Sequence, residues 1–335
     1  MEKLRKVVYL IFCVIAVGVA LAALLSIFRD TDSRYLKMLD FPRIQLFIVS
    51  IAGLAGFVAL TKRWRWYDYA LVVGLLGGMF VQAFYLYNYT TLSATTVAGT
   101  EGEVSEQDLL SLMVVNVKMK NRQAQSLLDL INEYQPDVLL AMETDAWWDS
   151  QLQPIERQYP STKEVINEVT YGMVLYSRFP TGEVTVDYLQ NENVPSMQTT
   201  LTLDNGRQIA FHGVHPVPPT RFKRLPDNEG EQEVAMQKVG RKVAEGNLPA
   251  IVAGDINDVV WSYTDALTHT EDLLHDVRVG RGFYNTFNAE SWWKRWPLDH
   301  VFVTDEFRVH RLERLPEVDS DHYPLYVELA IAPND

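Results

Sequence analysis

The chain has 335 residues, with 30 Lys and Arg against 43 Asp and Glu and a formal net charge of −13. The acidic excess lies after residue 103, where 20 Lys and Arg face 36 Asp and Glu, a net charge of −16. A domain that binds nucleic acid non-specifically usually has a basic face, because neutralising phosphates releases counterions. No strong non-specific binding of duplex DNA is therefore expected.

Three uncharged apolar runs lie near the start of the chain, at about residues 7–28, 44–60 and 69–87. A helix needs roughly 20 apolar residues to cross the hydrocarbon core, so the second run is short on its own. Phe41-Pro42 and Lys62-Arg63 bound it, and Trp and Tyr residues flank the third run, as at membrane interfaces. Residues 1–89 therefore predict an anchor of three transmembrane helices in the lipid bilayer. A cleaved signal peptide is the alternative for the first run, but no small-x-small cleavage site ends it.

The distribution of Lys and Arg predicts the orientation of these spans, because cytoplasmic loops carry the excess of basic residues. Three basic residues lie among the first six, and three more follow the second run between Lys62 and Arg65. The first loop also has three, but they are spread out, and none occurs between Arg65 and Lys118. We therefore expect an integral, multi-pass membrane protein with a cytoplasmic N-terminus. Everything after Tyr89 would lie outside the cytoplasm, in the periplasm or the extracellular space.

The remainder of the chain predicts a linker at residues 90–106, rich in Thr, Gly and Glu, and one domain at residues 107–335. Hydrophobic periodicity predicts helices at residues 121–134 and 229–245. Strands are predicted at residues 110–117, 137–142, 171–176, 182–189, 198–203, 207–212, 250–253, 298–303, 308–315 and 323–331. This mixture of buried strands, hairpins and a few helices fits two stacked sheets with helices outside them.

Four short acidic signatures occur at or just past the ends of apolar runs: Met142-Glu143, Gly254-Asp255-Ile256-Asn257, Leu298-Asp299-His300 and Ser320-Asp321-His322. Carboxylates are costly to bury unless they are paired, hydrogen-bonded or bound to a metal. Strands that bring Asp, Asn, Glu and His to one sheet edge can build a divalent-metal site for phosphoryl transfer. Each signature alone also fits an ordinary turn or cap, so the prediction rests on the ordered set.

Within this set, the residue types suggest separate roles. Asp255 could hold or deprotonate a water molecule, and the amide of Asn257 could donate to a phosphoryl oxygen. Asp299 could fix the tautomer of a catalytic imidazole. Glu143 could hold Mg²⁺ with mostly water ligands. Asn116, at the end of the first strand, could share that cation or contact a phosphoryl oxygen, although a capped strand end explains it equally well.

Further candidates lie in loops. His215, before a Pro-rich segment, is a better site candidate than His212, for which a structural role is favoured. The basic cluster at Arg221 and Arg224 could hold a second phosphate or an acidic head group, with a solvated loop as the equal alternative. Trp293, in Trp292-Trp293-Lys294-Arg295-Trp296, could stack on substrate or rest at a membrane interface. Zinc-binding Cys/His pairs, a Gly-x-Ser-x-Gly elbow and nucleotide-binding Gly-rich loops are absent from the sequence.

From about Leu109 to Ala332, the chain resembles the endonuclease/exonuclease/phosphatase superfamily of DNase-like, metal-dependent phosphoesterases. The resemblance is carried by Asn-Val in the first strand, the strand-end Glu and His, Gly172 to Pro180, Gly-Asp-x-Asn, Leu-Asp-His and Ser-Asp-His. It implies a four-layer α/β sandwich and hydrolysis of a phosphomonoester or phosphodiester by metal-assisted water.

By this resemblance, each matching position takes on the family's role. Glu143 would bind the essential Mg²⁺, with Mn²⁺ or Ca²⁺ as possible substitutes, assisted by Asn116 and Asp321. Asp255 would orient or deprotonate the attacking water, and Asn257 would position the phosphoryl group. His322, oriented by Asp299, would contact the phosphate. His215 would lie on the other side of the phosphate.

The chain also departs from the family pattern. Lys118 stands where some relatives have Asp, which puts a second metal ligand in doubt. His300 stands where an aromatic or basic residue is common, and we expect it to contact substrate and tune selectivity. The substrate stays open among a phospholipid head group, a small phosphoester and a short nucleic acid, and the sequence does not fix the oligomeric state. A catalytically silent, membrane-tethered binding or scaffold domain on the same fold is the alternative function.

Overall fold

The computed structural model describes residues 2–29, 31, 33–219, 226, 232–262 and 272–332. The chain divides into two compact units, residues 1–93 and residues 94–335. The first unit is built from apolar helical segments and the second from alternating strands and helices.

The first unit is helical. Its helices are α1 (Glu2–Leu25), the one-turn α2 (Arg34–Lys37), α3 (Arg43–Leu60) and α4 (Trp66–Tyr87). The three long helices pack against one another, and large apolar side chains such as Leu10, Val14 and Phe80 are exposed on their outer faces. By length and composition, the segments Lys6–Leu25, Arg43–Leu60 and Trp66–Tyr87 could each cross a membrane. They coincide, within a few residues, with the three predicted spans.

A buried polar cluster joins these helices. Arg43, at the start of α3, is fully buried and donates to the carbonyl oxygen of Ser26 at 2.8 Å and to Oε1 of Gln82 at 3.1 Å. It also pairs with Asp40. Gln82 in turn donates to the carbonyl oxygen of Ala23 at 2.9 Å. Polar groups buried in this way cost little because they are hydrogen-bonded, and they fix the helices against one another.

The second unit contains two six-stranded sheets. Their strands are β1 (Leu109–Asn116), β2 (Val138–Met142), β3 (Ser161–Val165), β4 (Met173–Ser177), β5 (Thr185–Asp187), β6 (Ser196–Thr202), β7 (Gln208–Gly213), β8 (Ala250–Asp255), β9 (His275–Asp276), β10 (Asp299–Val303), β11 (Phe307–Arg314) and β12 (Leu325–Ile331). The first sheet has the order β11-β12-β1-β2-β4-β3 and the second has the order β5-β6-β7-β8-β10-β9. The helices are α5 (Gln125–Tyr134), α6 (Ala146–Leu152) and α7 (Gln232–Glu245), with 3-10 turns at Glu106–Asp108 and Gln153–Gln158.

Three apolar clusters separate the layers of this unit. The central cluster joins the inner faces of the two sheets, with Leu140 on β2 and Phe211 on β7 among its members. A second cluster packs α5 and α6 on the outer face of the first sheet, and a third packs α7 on the outer face of the second sheet. Alternate residues of each central strand supply the two faces. The result is the four-layer α/β sandwich of two mixed sheets that was predicted, and that prediction is confirmed.

Strand direction brings polar residues to one edge of the sandwich. The parallel pair β1 and β2 runs in register with Asn116 opposite Met142, so Glu143 follows immediately at the same edge. In the second sheet, β7 and β8 are also parallel, and antiparallel β10 starts with Asp299 opposite Asp255. The carboxyl ends of four strands and the start of a fifth therefore meet at this edge.

The structure corrects several element boundaries. The predicted linker is shorter than 90–106, because Gly99 pairs with Val309 of β11 and Val97 is buried in the central core. Helix α5 begins at Gln125 and not at 121, and β5 is only three residues long. The short elements α6, β3 and β9 were not predicted, since they lack a clear apolar period.

Candidate active site

Asn116 links the two sheets at the polar edge. Its Nδ2 atom donates to Oε1 of Glu143 and to Oδ2 of Asp255, both at 3.0 Å. Its Oδ1 atom accepts from the backbone N–H of Lys118 at 2.9 Å. One buried amide thus holds a carboxylate from each sheet, and the two acids are separated only by its NH₂ group.

Tight backbone contacts position the two carboxylates. Glu143 has a φ of +60°, and its Oε2 atom accepts from the N–H of Met119 at 3.1 Å. The residue after it, Thr144, passes so close to Gly172 that a Cβ at 172 would lie 1.8 Å from the Thr144 carbonyl oxygen. A positive φ in a non-glycine residue is strained and persists only where the surroundings enforce it. The close backbone contact between Thr144 and Gly172 therefore helps to fix Glu143.

Asp255 lies at the centre of the polar edge and is buried. Its Oδ1 atom accepts from the N–H of Asn257 at 2.8 Å. Its Oδ2 atom lies 3.5 Å from Nε2 of His322 and 3.7 Å from Nε2 of His215. Burial raises the pKa of Asp255 to about 7, against the lowering effect of the nearby charge of His322. The carboxylate is therefore a base whose pKa is close to neutral pH, which suits proton abstraction from water.

His322 and Asp299 form a buried pair next to Asp255. Nδ1 of His322 lies 2.8 Å from Oδ2 of Asp299, and Ser320 Oγ accepts from the His322 N–H at 3.1 Å. Burial alone would lower the pKa of His322, but the negative charges of Asp299 and Asp255 raise it to about 10. The imidazole is thus held as an imidazolium at neutral pH.

His215 lies on another side of Asp255 and has the opposite character. Burial lowers its pKa to about 3, helped by the positive charge of His322. Its ring lies 5.0 Å from the ring of Tyr171, and its Nδ1 atom has no hydrogen-bond partner among the described residues. The edge therefore offers one neutral and one charged imidazole around a single buried carboxylate.

Lys118, Asp321 and Glu290 lie at the partly exposed rim of the site, which is called its mouth below. Nζ of Lys118 pairs with Glu290 and lies 3.7 Å from Oδ2 of Asp321. Partial burial lowers the pKa of Lys118, but the hydrogen bond with Glu290 and the charge of Asp321 outweigh it and raise the pKa. Lys118 is therefore a fixed cation at the mouth.

A model of the Endonuclease/Exonuclease/phosphatase family matches residues 113–322, well over half of the chain and the whole polar edge. The chain belongs to this family. The resemblance predicted from the sequence is confirmed, and the chain is a hydrolase of phosphoester bonds. By sequence, no curated protein matches it.

Solved structures show the same fold at low sequence identity. A humanized TDP2 of D. rerio is 17% identical over 66% of this chain and 99% of its own, with a TM-score of 0.56. The endonuclease/exonuclease/phosphatase from Bacteroides vulgatus is 17% identical over 67% and 99%, with a TM-score of 0.53. The human Nocturnin catalytic domain, solved with a bound sulfate anion, is 17% identical over 68% and 97%, with a TM-score of 0.51.

Two sets of side chains of this family member could hold a metal ion. Asp255, Asp299 and His322 offer ligand atoms that all lie within 4.8 Å of one another. The second set centres on Glu143; the first could hold a metal through His322 only after the imidazolium gives up the proton of its Nε2 atom. Burial raises the pKa of Glu143, although its bond from Asn116 opposes this, and Asp321 adds to the unfavourable negative charge. A divalent cation held by carboxylate oxygens would relieve this excess, so the donor set fits Mg²⁺.

The structure places the remaining predicted residues in different ways. Asn257 lies beside Asp255, with Nδ2 donating to the Pro216 carbonyl oxygen at 3.0 Å. The expectation that His300 contacts substrate is wrong. Consecutive residues of a strand face opposite sides of the sheet, and Asp299 faces the site, so His300 faces away from it. His300 is buried, with Nε2 2.8 Å from the carbonyl oxygen of Asp258.

The loop candidates differ in what the structure describes of them. Arg221 and Arg224 lie outside the described residues. Trp293 is 53% exposed, on a loop whose base contacts His322. Thr286, whose Oγ1 accepts from the N–H of Asp299 at 3.1 Å, was not predicted. No sequence signal marks it, since a lone Thr in a loop is common.

Proposed function

We propose that the chain is a membrane-anchored, divalent-metal-dependent phosphoesterase that hydrolyses its substrate by direct attack of water. The observation that carries the proposal is the pairing of Glu143 and Asp255 on the Asn116 amide, with the charged His322 3.5 Å from Asp255. This arrangement puts a cation-binding acid, a base and a proton-bearing imidazole at one edge.

Glu143 would hold the metal, assisted by Asn116 and Asp321. When bound, Mg²⁺ supplies positive charge that stabilises the phosphoryl oxygens. Carboxylate and amide oxygens are suitable ligands, and Mg²⁺ usually keeps several waters beside one or two carboxylates. Mn²⁺ and Ca²⁺ take the same kind of oxygen donor and are included in the proposal.

The other residues act on water and phosphate. Asp255 accepts a proton from the attacking water, and its pKa of about 7 suits a base that acts near neutral pH. His322, charged and oriented by Asp299, donates to a phosphoryl oxygen as negative charge develops. His215 and Asn257 contact the phosphate from the other side. Because water attacks directly, no covalent intermediate with the protein is needed.

The first unit would anchor the enzyme in a bilayer. Its three long apolar helices and exposed apolar side chains support this part of the proposal. The distribution of Lys and Arg favours a cytoplasmic N-terminus and a catalytic domain outside the cytoplasm. The chain's single cysteine permits a direct test, in which Cys13→Ser is combined with Glu183→Cys on the exposed surface. A membrane-impermeant maleimide is expected to label the variant in intact cells. Labelling only after lysis would mean that the catalytic domain lies in the cytoplasm, opposite to the proposed orientation.

The acidic catalytic unit narrows the substrate. We propose a phospholipid head group, a small phosphoester or a short nucleic acid, because the net charge of −16 after residue 103 repels a long polyanion. A TDP2 of D. rerio has been solved with a single-strand DNA product, so a short single strand belongs in the substrate panel.

The test uses the full chain in detergent or nanodiscs. Phosphomonoesters, phosphodiesters, phospholipids and single- and double-stranded oligonucleotides are assayed with Mg²⁺, with Mn²⁺ and with EDTA. Metal-dependent turnover is expected for wild type and for the control Asp129→Asn on the exposed face of α5, and it should vanish in Asp255→Asn. If no substrate is turned over and Mg²⁺ does not shift the melting temperature, the alternative of a silent binding or scaffold domain is favoured.

A further inference from the structure

A hairpin-like loop, residues 287–296, lies along the residues that carry the site. The N–H of Phe287 donates to the carbonyl oxygen of Trp296 at 2.9 Å, which closes the base of the loop. Phe287 also pairs with His322, and the N–H of Ala289 donates to the carbonyl oxygen of Asp321 at 2.8 Å. The loop is therefore fixed to the backbone of the site and is not a free surface segment.

Two arginines meet at one tyrosine beside this loop. The guanidinium carbons of Arg295 and Arg314 lie 5.3 and 4.4 Å from the centroid of the Tyr323 ring. Arg295 donates to the Tyr323 hydroxyl at 2.9 Å and to the Ser291 carbonyl oxygen at 2.7 Å, and Arg314 donates to the Asn285 carbonyl oxygen at 3.0 Å. Each guanidinium has five N–H donors, so most donors of the pair have no partner among the described residues.

The charges of this pair are not balanced. Within the part of the chain that the structure describes, neither Arg295 nor Arg314 has a carboxylate oxygen within 4.0 Å. Although the Arg314 side chain is exposed, desolvation by the groups packed on its inner side lowers its pKa, and the nearby positive charge of Arg295 lowers it further. In a unit whose acidic residues far outnumber its basic ones, two adjacent cations without an acidic partner are a place where an anion would be stabilised.

The pair lies next to the candidate active site. Tyr323 directly follows His322, and the backbone at His322 is extended, since it bridges Phe287. The N–H of Tyr323 donates to the carbonyl oxygen of Thr286 at 2.8 Å, beside the Phe287 that pairs with His322. The two arginines are therefore held beside the chain segment that carries His322.

We propose that Arg295 and Arg314, held against Tyr323, form a subsite for a second anionic group of the substrate, a phosphate or a carboxylate. Guanidinium forks match the planar or tetrahedral oxygens of such groups and bind them through paired hydrogen bonds. This inference rests on the proposed function and deepens it, because it restricts the substrate to phosphoesters that carry a second negative group near the scissile one.

The test compares two 4-nitrophenyl esters on the full chain, thymidine 5′-(4-nitrophenyl phosphate) with and without a 3′-phosphate. Arg295→Ala and Arg314→Ala should each raise KM for the ester with the 3′-phosphate at least 10-fold, with kcat within 2-fold of wild type. KM for the plain ester should not change. The matched control is Arg308→Ala on β11, because Arg308 donates to the backbone carbonyl oxygens of Asp305 and Phe307. Equal effects on both esters, or no effect, would overturn the subsite.

A binding measurement separates the subsite from the catalytic proposal. Calorimetric titration of both esters in EDTA should show tighter binding of the ester with the 3′-phosphate to wild type, and Arg295→Ala should abolish this preference. If wild type hydrolyses neither ester nor any substrate of the panel above but keeps the preference, the phosphoesterase proposal fails while the subsite stands. Binding of a soluble short-chain phospholipid is then compared with binding of vesicles that carry the same head group, which distinguishes a free phosphoester from a lipid in a bilayer. If Arg295→Ala changes binding of neither form, a phospholipid is not the source of the second anionic group.

Discussion

Oδ2 of Asp299 lies 2.8 Å from Nδ1 of His322, and this buried contact decides the charge of the imidazole. Burial favours neutral forms of both groups, yet the mutual attraction lowers the pKa of Asp299 and raises that of His322 to about 10. A histidine whose pKa is raised in the folded state contributes stability that is complete below pH 6.5 and is lost as pH rises through about 10. The pair therefore stabilises the fold over the same pH range in which His322 carries the charge proposed for catalysis.

Asp299→Asn should lower the pKa of His322 and reduce kcat about 100-fold or more, because the imidazole loses its charge and its orientation. The alkaline decline in kcat should move to lower pH than in wild type. The gap in melting temperature between wild type and variant should be largest near pH 6 and should shrink toward pH 10. A pH profile of unchanged shape would contradict the assigned role of the pair.

Glu143→Gln should abolish stabilisation by Mg²⁺. A ligand at 100 times its dissociation constant stabilises the folded state by about 2.7 kcal/mol, which raises the melting temperature by several degrees for a domain of this size. Wild type and the control Glu164→Gln, on the exposed edge strand β3, should show this rise. If the rise persists in Glu143→Gln but disappears in Asp299→Asn, the metal lies at the alternative group of Asp255, Asp299 and His322.

The sequence predicted which residues form the core of the site because these polar residues lie where apolar strands end. Asn116, Glu143 and Asp255 each end or follow a buried strand, and parallel strand pairs carry such residues to one edge. The two-sheet fold followed from the same strands. The orientation of adjacent polar residues was harder, since Asp299 and His300 are both polar and alternation alone does not say which one faces the site.

The surroundings of the site could not be predicted because they depend on contacts between distant, irregular segments. Lys118 meets Glu290 across 172 residues of sequence, and Arg314 meets Tyr323 from a different strand. Loop 287–296 has no apolar period, so no pattern indicated that it lies against His322. The segment after Ala94 looked like a linker by composition, but Val97 is buried and Gly99 pairs with β11.

Lys118→Ala should tighten Mg²⁺ binding. The ammonium group lies 3.7 Å from Asp321 and repels a cation held by that residue. Because its side chain is 29% exposed, solvent screening limits the effect to that of a surface ion pair, about 2- to 5-fold in dissociation constant. Titration of the melting temperature with Mg²⁺ measures this shift, and Lys118→Arg should leave it close to wild type. Weaker binding in Lys118→Ala would mean that Lys118 orders the acidic ligands and does not compete with the metal.

Gly172→Ala should impair both stability and activity. The added Cβ would lie 1.8 Å from the carbonyl oxygen of Thr144, a backbone atom of the residue that follows Glu143. Overpacking of this kind costs about 1–3 kcal/mol, and the displaced carboxylate should also weaken the response to Mg²⁺. In the control Gly182→Ala, the nearest atom to the new Cβ is 3.7 Å away, an ordinary contact. Thermal unfolding with and without Mg²⁺ should therefore separate the two variants. If both variants unfold at the wild-type temperature with the same Mg²⁺ response, the contact between Gly172 and Thr144 does not hold Glu143 in place.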